Sequence, residues 1–491
     1  MIRQVFHKVT PYKTIAAVEN IETPLSNEMA LALETWYRMY RNDAPWLTNN
    51  GPDRDRSKKS VFSMNLPAFI CSEFARQIML EMKWSITGKQ SEDGEATGNP
   101  RSAYLKAEFE KLITSLRAKL EQGCAAGGMV IKPYPKGGHI HFDFCMDWSM
   151  YPVAFDDDGN LSDVIFRDMI IDGKTIYTRL ERHRLERGSD NGSSDSDNVV
   201  ITQRAFKSTV KDVIGVEIPL SDVPQWAELE PEAVVQAADG QLFGWYRSPV
   251  ANSVDPDCPL GAALFDKAKW LIRDADEQYS LIKWEYEGTA LAVDVDPMAL
   301  RPRADGGMEM PELNQRLFRA VDLGEDGNYN IFSPNIRDAS LFNGLNNILM
   351  RIEDLCGFSR GTMSDPNTQA RTATELKIQQ QRSYATIADN QAALERCLRD
   401  VIRVMDKYAD IYGLAPKGEY EVSFEWDDSI ITDSSQQLSE RLTLMNAGVI
   451  SPEEIRAWYF GETPAQAKKA IEELRASQIE AISNQLPAIT D

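Results

Sequence analysis

The stretch "SLFNGLNNILMRIEDLCGFSRG" (340–361) can be read in two ways that lead to different folds. Its last five residues fit G-x-S-x-G, the nucleophile elbow, in which a strand runs into a sharp turn and a helix leaves it. A strand before Gly357 would give an α/β-hydrolase with Ser359 as nucleophile. The residues before the turn decide against it. Leu341, Leu345, Ile348, Ile352 and Leu355 step by four, three, four and three, the seam of a helix. The base is missing too: His7, His139, His141 and His183 all precede Ser359, whereas the hydrolase order runs Ser, acid, His. "GFSRG" reads as a loop that ends a helix, and a serine hydrolase using Ser359 is kept only as an alternative.

Beyond the loop, Thr372 and Glu375 fit a capping box, in which the hydroxyl caps a first-turn N–H and the glutamate reaches back. No Gly or Pro then occurs before Gly413, so about forty residues form a rod of roughly 60 Å. Tyr384, Ile387, Gln391, Leu394, Leu398, Val401, Met405, Tyr408 and Tyr412 alternate by three and four, a heptad seam with one polar member. Such a helix either packs on its own domain or joins a coiled coil. A strand candidate, "YEVSFEW" (420–426), follows. Helices then read at 434–448, 451–460 and 463–482, the second opened by a Ser451–Glu454 capping box. Residues 414–491 hold six basic and fourteen acidic residues, an acidic helical end.

Upstream, the chain starts helical. Met29, Leu33, Trp36 and Tyr40 predict a helix over 26–41, and Leu66, Ile70, Phe74 and Ile78 a second. After a polar Gly-rich break at 87–100, Leu105, Phe109, Leu112, Leu116 and Leu120 predict a third, ended by "GCAAGG" (123–128). The period then changes to two: "MVIKPYP", "HIHFDF", "DVIFRDMII", "KTIYTRLERHRL" and "NVVITQRAF" form a β-rich hairpin module over 128–220. From Pro259 to Gly288 the pattern is helical again, and 289–335 is a mixed segment of Gly, Pro and short apolar runs. The fold class is α+β, predominantly α.

The bulk numbers fit a multidomain globular protein: 491 residues, 43% apolar and 9% aromatic. No run of about 18 uncharged apolar residues exists, so no membrane span is expected, and "MIRQVFHKVTPYK" lacks the apolar stretch of a secretory signal. Six widely spaced cysteines with no C-x-x-C pair predict reduced thiols and no zinc site. The net charge of −22 argues against a protein that grips nucleic acid through many phosphate contacts.

Other site templates fail on particular residues. His139, His141 and Asp143 share one strand face and could ligate a metal, but no further His or Cys cluster completes a shell. "DGKT" (172–175) has Asp168 where a P-loop requires glycine, and "FDDDGNLSD" (155–163) has Ala154 where an EF-hand requires its first ligand. No metal, cofactor or catalytic residue is expected.

"FSPNIRDASLFNGLNNILMRIEDLCGFSRGTMS" (332–364), then "ARTATELKIQQQRSYATIADNQAALERCLRDVI" (370–402), resembles the portal (connector) proteins of tailed bacteriophages. "LTLMNAGVISPEEIRAWYFG" (442–461) also resembles that family, as do "YPVAFDDDGNLSDVIF" (151–166) and "YTRLERHRL" (177–185). The resemblance implies a phage portal fold of wing, stem, clip and crown, assembled as a ring, typically a dodecamer, with an axial channel. It implies a wing over 1–258, a first stem helix over 259–288, a clip over 289–335 and a second stem helix over 336–356. A tunnel loop over 357–371, a long spine helix and return strand of the wing over 372–433, and a helical crown over 434–491 would follow.

The implied role is a conduit for double-stranded DNA at one capsid vertex, in packaging and in ejection. Implied partners are other copies of the chain, the DNA, the terminase large subunit, a head-completion or adaptor protein, and the major capsid and scaffold proteins; no membrane is involved. The implied location is the virion, after assembly in the bacterial host cytoplasm. Candidate DNA-channel residues in the tunnel loop are Ser359, Arg360, Thr362, Ser364, Asn367, Thr368, Gln369 and Arg371. Its composition predicts a mobile, solvated loop. The alternative of another class is a coiled-coil oligomeric scaffold or adaptor joined through 373–412.

Overall fold

The computed structural model describes residues 3–4, 12–47, 61–80, 82–88, 99–187, 197–210, 213–288, 292–295, 301–302, 308–309, 318–320, 329–332, 335–365, 373–426, 434–460 and 466–474. The chain divides into two units, Met1–Trp426 and Asp427–Asp491.

The first unit begins with strand β1 (Arg3–Gln4) and helices α1 (Tyr12–Glu19), α2 (Asn27–Tyr40) and α3 (Leu66–Met79). Strand β2 (Met82–Gly88) and helix α4 (Pro100–Ala126) follow. Next come β3 (Gly128–Lys136), β4 (His139–Met146), β5 (Met150–Phe155), β6 (Leu161–Asp172), β7 (Thr175–Glu186) and β8 (Asn198–Ser208). The short strands β9 (Val216–Ile218), β10 (Glu232–Val235) and β11 (Gly244–Arg247) end the β-rich part. Helix α5 (Lys269–Gly288) leads into β12 (Ala292–Val295), β13 (Arg301–Pro302), β14 (Met308–Glu309), β15 (Phe318–Ala320) and β16 (Tyr329–Phe332). Helices α6 (Asp338–Cys356) and α7 (Ala373–Ile411) and strand β17 (Tyr420–Trp426) complete the unit. The fold is α+β, mostly helical, with several antiparallel sheets.

Local signals set the helix ends. Ser26 accepts the Met29 N–H and starts α2; Asn99 accepts the Ser102 N–H and starts α4, with Pro100 at the first helical position. Gly127, at φ 85°, stops α4. The long β6, β7 and β8 pair as consecutive antiparallel hairpins in a seven-stranded sheet, and β11-β3-β4 form a second sheet.

Two sequence expectations need correction. The run from Pro259 is helical only from Lys269, after a 3-10 turn at Asp266–Ala268. Leu260–Phe265 instead thread the core. Gly261 lies so close to α4 that a Cβ there would sit 2.2 Å from the Gly127 carbonyl oxygen, and the Leu264 N–H donates to Cys124 O. In addition, β2 was not expected as a strand. It pairs antiparallel with β17, from Met82 opposite Trp426 to Gly88 opposite Tyr420.

Helix α7 is no exposed coiled-coil seam. Leu394, Cys397, Leu398, Val401, Ile402, Val404, Met405 and Ala409 are buried to within 1% of completely, two adjoining columns that fill the core. A Cβ on Gly244 of β11 would fall 2.2 Å from Cys397 O, so strand and helix touch through backbone. Tyr246 donates its hydroxyl to Asn390 Oδ1 at 2.6 Å, and Gln391 donates to Ile78 O at the end of α3. The polar member of the seam is thus a core hydrogen bond.

In the second unit, α8 (Ser434–Asn446) and α9 (Pro452–Phe460) are joined through residues 447–451, and residues 466–474 are helical. Ser451 and Glu454 form the expected reciprocal cap, Ser451 N–H to Glu454 Oε2 at 2.7 Å and Glu454 N–H to Ser451 Oγ at 3.2 Å. Arg441 of α8 lies over the Trp458 ring of α9 at 4.4 Å. Thr372 and the Glu375 side chain of the other expected capping box lie outside the described residues. Among the described residues no helix is long and apolar enough to cross a membrane, and all six cysteines are free.

Candidate functional site

The α6–α7 junction is built from the end of α6 outward. Gly357 caps α6 in the left-handed region, at φ 83°, and a Cβ there would lie 2.5 Å from Thr386 Oγ1 of α7. The next side chain, Phe358, is 2% exposed and packs against Phe74 of α3 with ring centroids 4.2 Å apart. The loop thus leaves α6 already fixed to α3 and close against α7.

One carboxylate organises the rest of the turn. Glu353, fully buried in the last turn of α6, accepts the backbone N–H groups of Gly361, Met363 and Ser364 and the Ser364 hydroxyl. The Thr362 hydroxyl donates to Ser359 O at 2.6 Å, and Asp365 N–H donates to Asn346 Oδ1 at 2.8 Å. Arg360 forks onto Asp354 through Nε at 3.2 Å and Nη2 at 2.8 Å, and this partner raises its already high pKa. The solvated loop expected here is exposed at Arg360, Gly361 and Asp365, while hydrogen bonds to the buried Glu353 carboxylate wrap 357–365 around the end of α6.

Of the candidate DNA-channel residues, Ser359, Arg360, Thr362 and Ser364 lie in this wrap. Ser364 is 5% exposed with its hydroxyl on Glu353, and Arg360 points outward beside Asp354. Asn367, Thr368, Gln369 and Arg371 lie outside the described residues. Glu353 went unrecognised in the sequence. The one hint is a glutamate in the last turn, which faces the negative end of the helix dipole, but no spacing says which donors reach it.

The remaining candidates settle into structural roles. Helix α6 enters "GFSRG", as the seam predicted, so Ser359 does not sit on an elbow. His139 bonds to Glu108 at 2.8 Å, His141 stacks on Tyr134, and the buried His183 bonds to Glu181 at 2.7 Å; His7 lies outside the described residues. No group of His, Cys, Asp and Glu among the described residues could hold a metal. Asp156 of "FDDDGNLSD" accepts the Asp158 and Asn160 N–H groups and shapes the β5–β6 turn. The β module and Lys119 of α4 also line a half-open pocket of about 260 Å³, walled by Phe142, Phe144 and Phe166 and by the Lys132–Glu181–Arg179 ion pairs.

No curated protein matches the chain. A family match does cover the wrapped loop, both helices that flank it, and α8 and α9. It is to the family described as phage portal protein, SPP1 Gp6-like, and so the chain carries a phage portal-protein domain over residues 318–483.

Proposed function

We propose that the chain is a phage portal subunit, copies of which close into a ring at one capsid vertex through which double-stranded DNA is packaged and later ejected. The portal-protein domain that spans α6, the loop and α7 carries this reading. A portal domain is structural and not catalytic, in keeping with the failure of Ser359 as an elbow. On this reading, 1–258 is the wing, 259–288 and 336–356 are stem, and 289–335 is the clip, which docks the terminase large subunit and later a head-completion protein. Residues 357–371 are the tunnel loop, 372–433 the spine and return strand of the wing, and 434–491 the crown. Major capsid and scaffold proteins are the further partners, and the finished ring resides in the virion. The net charge of −22 suits a conduit, since firm phosphate contacts would stall moving DNA.

The coiled-coil scaffold reading is disfavoured by α7, whose apolar columns are already buried inside its own unit. Negative-stain images of the purified chain should show annular particles with a central hole. A chain that stays monomeric at micromolar concentration and moderate salt overturns the portal reading. Fluorophosphonate probes should leave Ser359 unlabelled; stoichiometric labelling there would restore the hydrolase.

A further inference from the structure

The half-open pocket of about 260 Å³ is lined from both sheets of the β module. Phe166 and Asp168 stand two apart on one face of β6, opposite Glu181 and Arg179 of β7, so these four side chains form one patch. Lys132 of β3 and Asp143 of β4 lie opposite each other in the second sheet, and Lys132 spans the gap to Glu181 at 2.7 Å. Phe142 and Phe144 come from the other face of β4, the edge strand of its sheet, and Ser149 from the 3-10 turn that follows. The space is several times the roughly 30 Å³ share of one liquid water.

The polar atoms of this lining are only partly satisfied. Asp168 is 8% and Ser149 4% exposed, yet among the described residues Asp168 Oδ1, Ser149 Oγ and Arg179 Nε have no partner. Buried groups of this kind are rare, and each carries a desolvation cost that a bound molecule can offset. No hydrogen bond among the described residues reaches Asp143 either, and burial raises its pKa against the pull of Lys132. Asp143 is half-buried and open to the pocket; the Asp168 and Arg179 atoms are covered, and a turn of either side chain presents them. The charges, by contrast, are largely closed among themselves. Lys132 and Arg179 both pair with Glu181, and Arg179 also pairs with Asp168. No surplus of one sign is left to draw a multiply charged ligand such as a phosphate.

We propose that this pocket binds a flat heteroaromatic amine whose amino donor lies next to a ring-nitrogen acceptor, as in 2-aminopyrimidine and on one edge of adenine or cytosine. The three phenyl rings take the flat body. Asp143, with Asp168, accepts the amino N–H groups, and Arg179 Nε or the Ser149 hydroxyl donates to the ring nitrogen. An aliphatic ligand leaves these polar atoms unmatched. A simple ammonium finds the rings already taken by cations, with Lys119 Nζ 5.7 Å from the Phe144 centroid and Lys132 Nζ 5.1 Å from that of Phe166. The proposal stands apart from the ring reading and is tested separately.

Saturation-transfer NMR on the full chain compares three probes of similar size. 2-Aminopyrimidine should bind. Pyrimidine, which has no amino donor, and aniline, which has no ring nitrogen, should each bind at least about tenfold more weakly. Adenosine or cytidine should displace 2-aminopyrimidine, and the one that does identifies the natural carrier. Asp143→Val keeps a strand-forming residue and should retain the circular dichroism of the parent, yet weaken 2-aminopyrimidine at least about tenfold. Phe144→Leu should weaken all three probes. Equal binding of pyrimidine or aniline would make the pocket an unselective apolar cleft and overturn the proposal. So would unchanged binding in Asp143→Val, displacement by neither nucleoside, or no binding of 2-aminopyrimidine at millimolar concentration.

Discussion

Glu353 and Ser364 are joined twice: the buried carboxylate accepts both the Ser364 backbone N–H and its hydroxyl, each at 2.8 Å. Two more N–H groups, of Gly361 and Met363, converge on the same two oxygens. Glu353→Ala strands these donors and should cost about 2–4 kcal/mol, against about 1 kcal/mol for Ser364→Ala. Thermal unfolding gives the order of the two. Amide exchange at Gly361, Met363 and Ser364 should quicken in Glu353→Ala; unchanged protection would mean that the wrap does not depend on the carboxylate.

Gly244 and Gly357 both meet α7 at close range, but against different atoms. An added Cβ at Gly357 faces the Thr386 hydroxyl at 2.5 Å, a side chain that can turn, although φ 83° still costs an L-residue about 1–2 kcal/mol. At Gly244 it faces the Cys397 carbonyl oxygen at 2.2 Å, which moves only with the helix. Gly244→Ala should therefore be the more damaging, by about 3 kcal/mol relative to the parent. Midpoints of thermal unfolding in the opposite order would reject this account of the β11–α7 contact.

Asp147 gives the stability a pH dependence. It is completely buried, with Trp245 Nε1 donating to Oδ1 at 3.2 Å and, among the described residues, no partner for Oδ2. Burial pushes its pKa up to about 8, although the Trp245 donor and the Arg247 charge pull it down. The unfolded chain ionises this group near the ordinary carboxylate value while the folded chain holds the proton. The contribution is therefore fully present below pH about 4 and lost as pH rises to about 8. Asp147→Asn cannot ionise and should unfold at a higher temperature than the parent at pH 8, with the gap shrinking steadily toward pH 5. A gap independent of pH would show that Asp147 stays ionised in the fold.

The wrap also changes which part of the loop can be altered safely. Replacing 360–369 by a Gly-Ser linker removes Gly361, Met363 and Ser364 and so unties Glu353, mixing a stability defect with any effect on DNA. Replacing only 366–371 leaves those bonds in place. That variant should keep its thermal transition and its rings but package or retain less genome in a phage complementation assay. Normal packaging and retention would remove the loop from the DNA-handling role.

Much of the fold was legible because it rests on local signals. Ser26, Asn99 and Gly127 mark helix ends, and the change of period after Gly128 marks the strands. What the sequence hid depends on partners distant along the chain. The alternation in Met82–Gly88 is short and becomes meaningful only beside Tyr420–Trp426. Leu260–Phe265 looks helical because its apolar residues suit a helix equally well, and only the Gly127–Gly261 backbone contact excludes one. At the candidate site the loop was visible as Gly, Ser and Thr after a helical seam. Glu353 was not, because a buried carboxylate bound to four backbone and side-chain donors leaves no spacing pattern.

The β2–β17 pair has a consequence for how the protein is made. More than 300 residues separate the two strands, and at about 5–20 residues per second a ribosome needs roughly 15–60 s to span that distance. Throughout that time β2 waits without its partner, beside an α4 whose buried Arg101 awaits Asp406 and Asp410 on α7. A nascent chain stopped before α7 holds a half-built core and a bare strand edge, the kind of surface that captures another unfinished chain. For a protein whose finished copies must meet only through chosen faces, the most hazardous encounter comes while α7 and β17 are still to be synthesised.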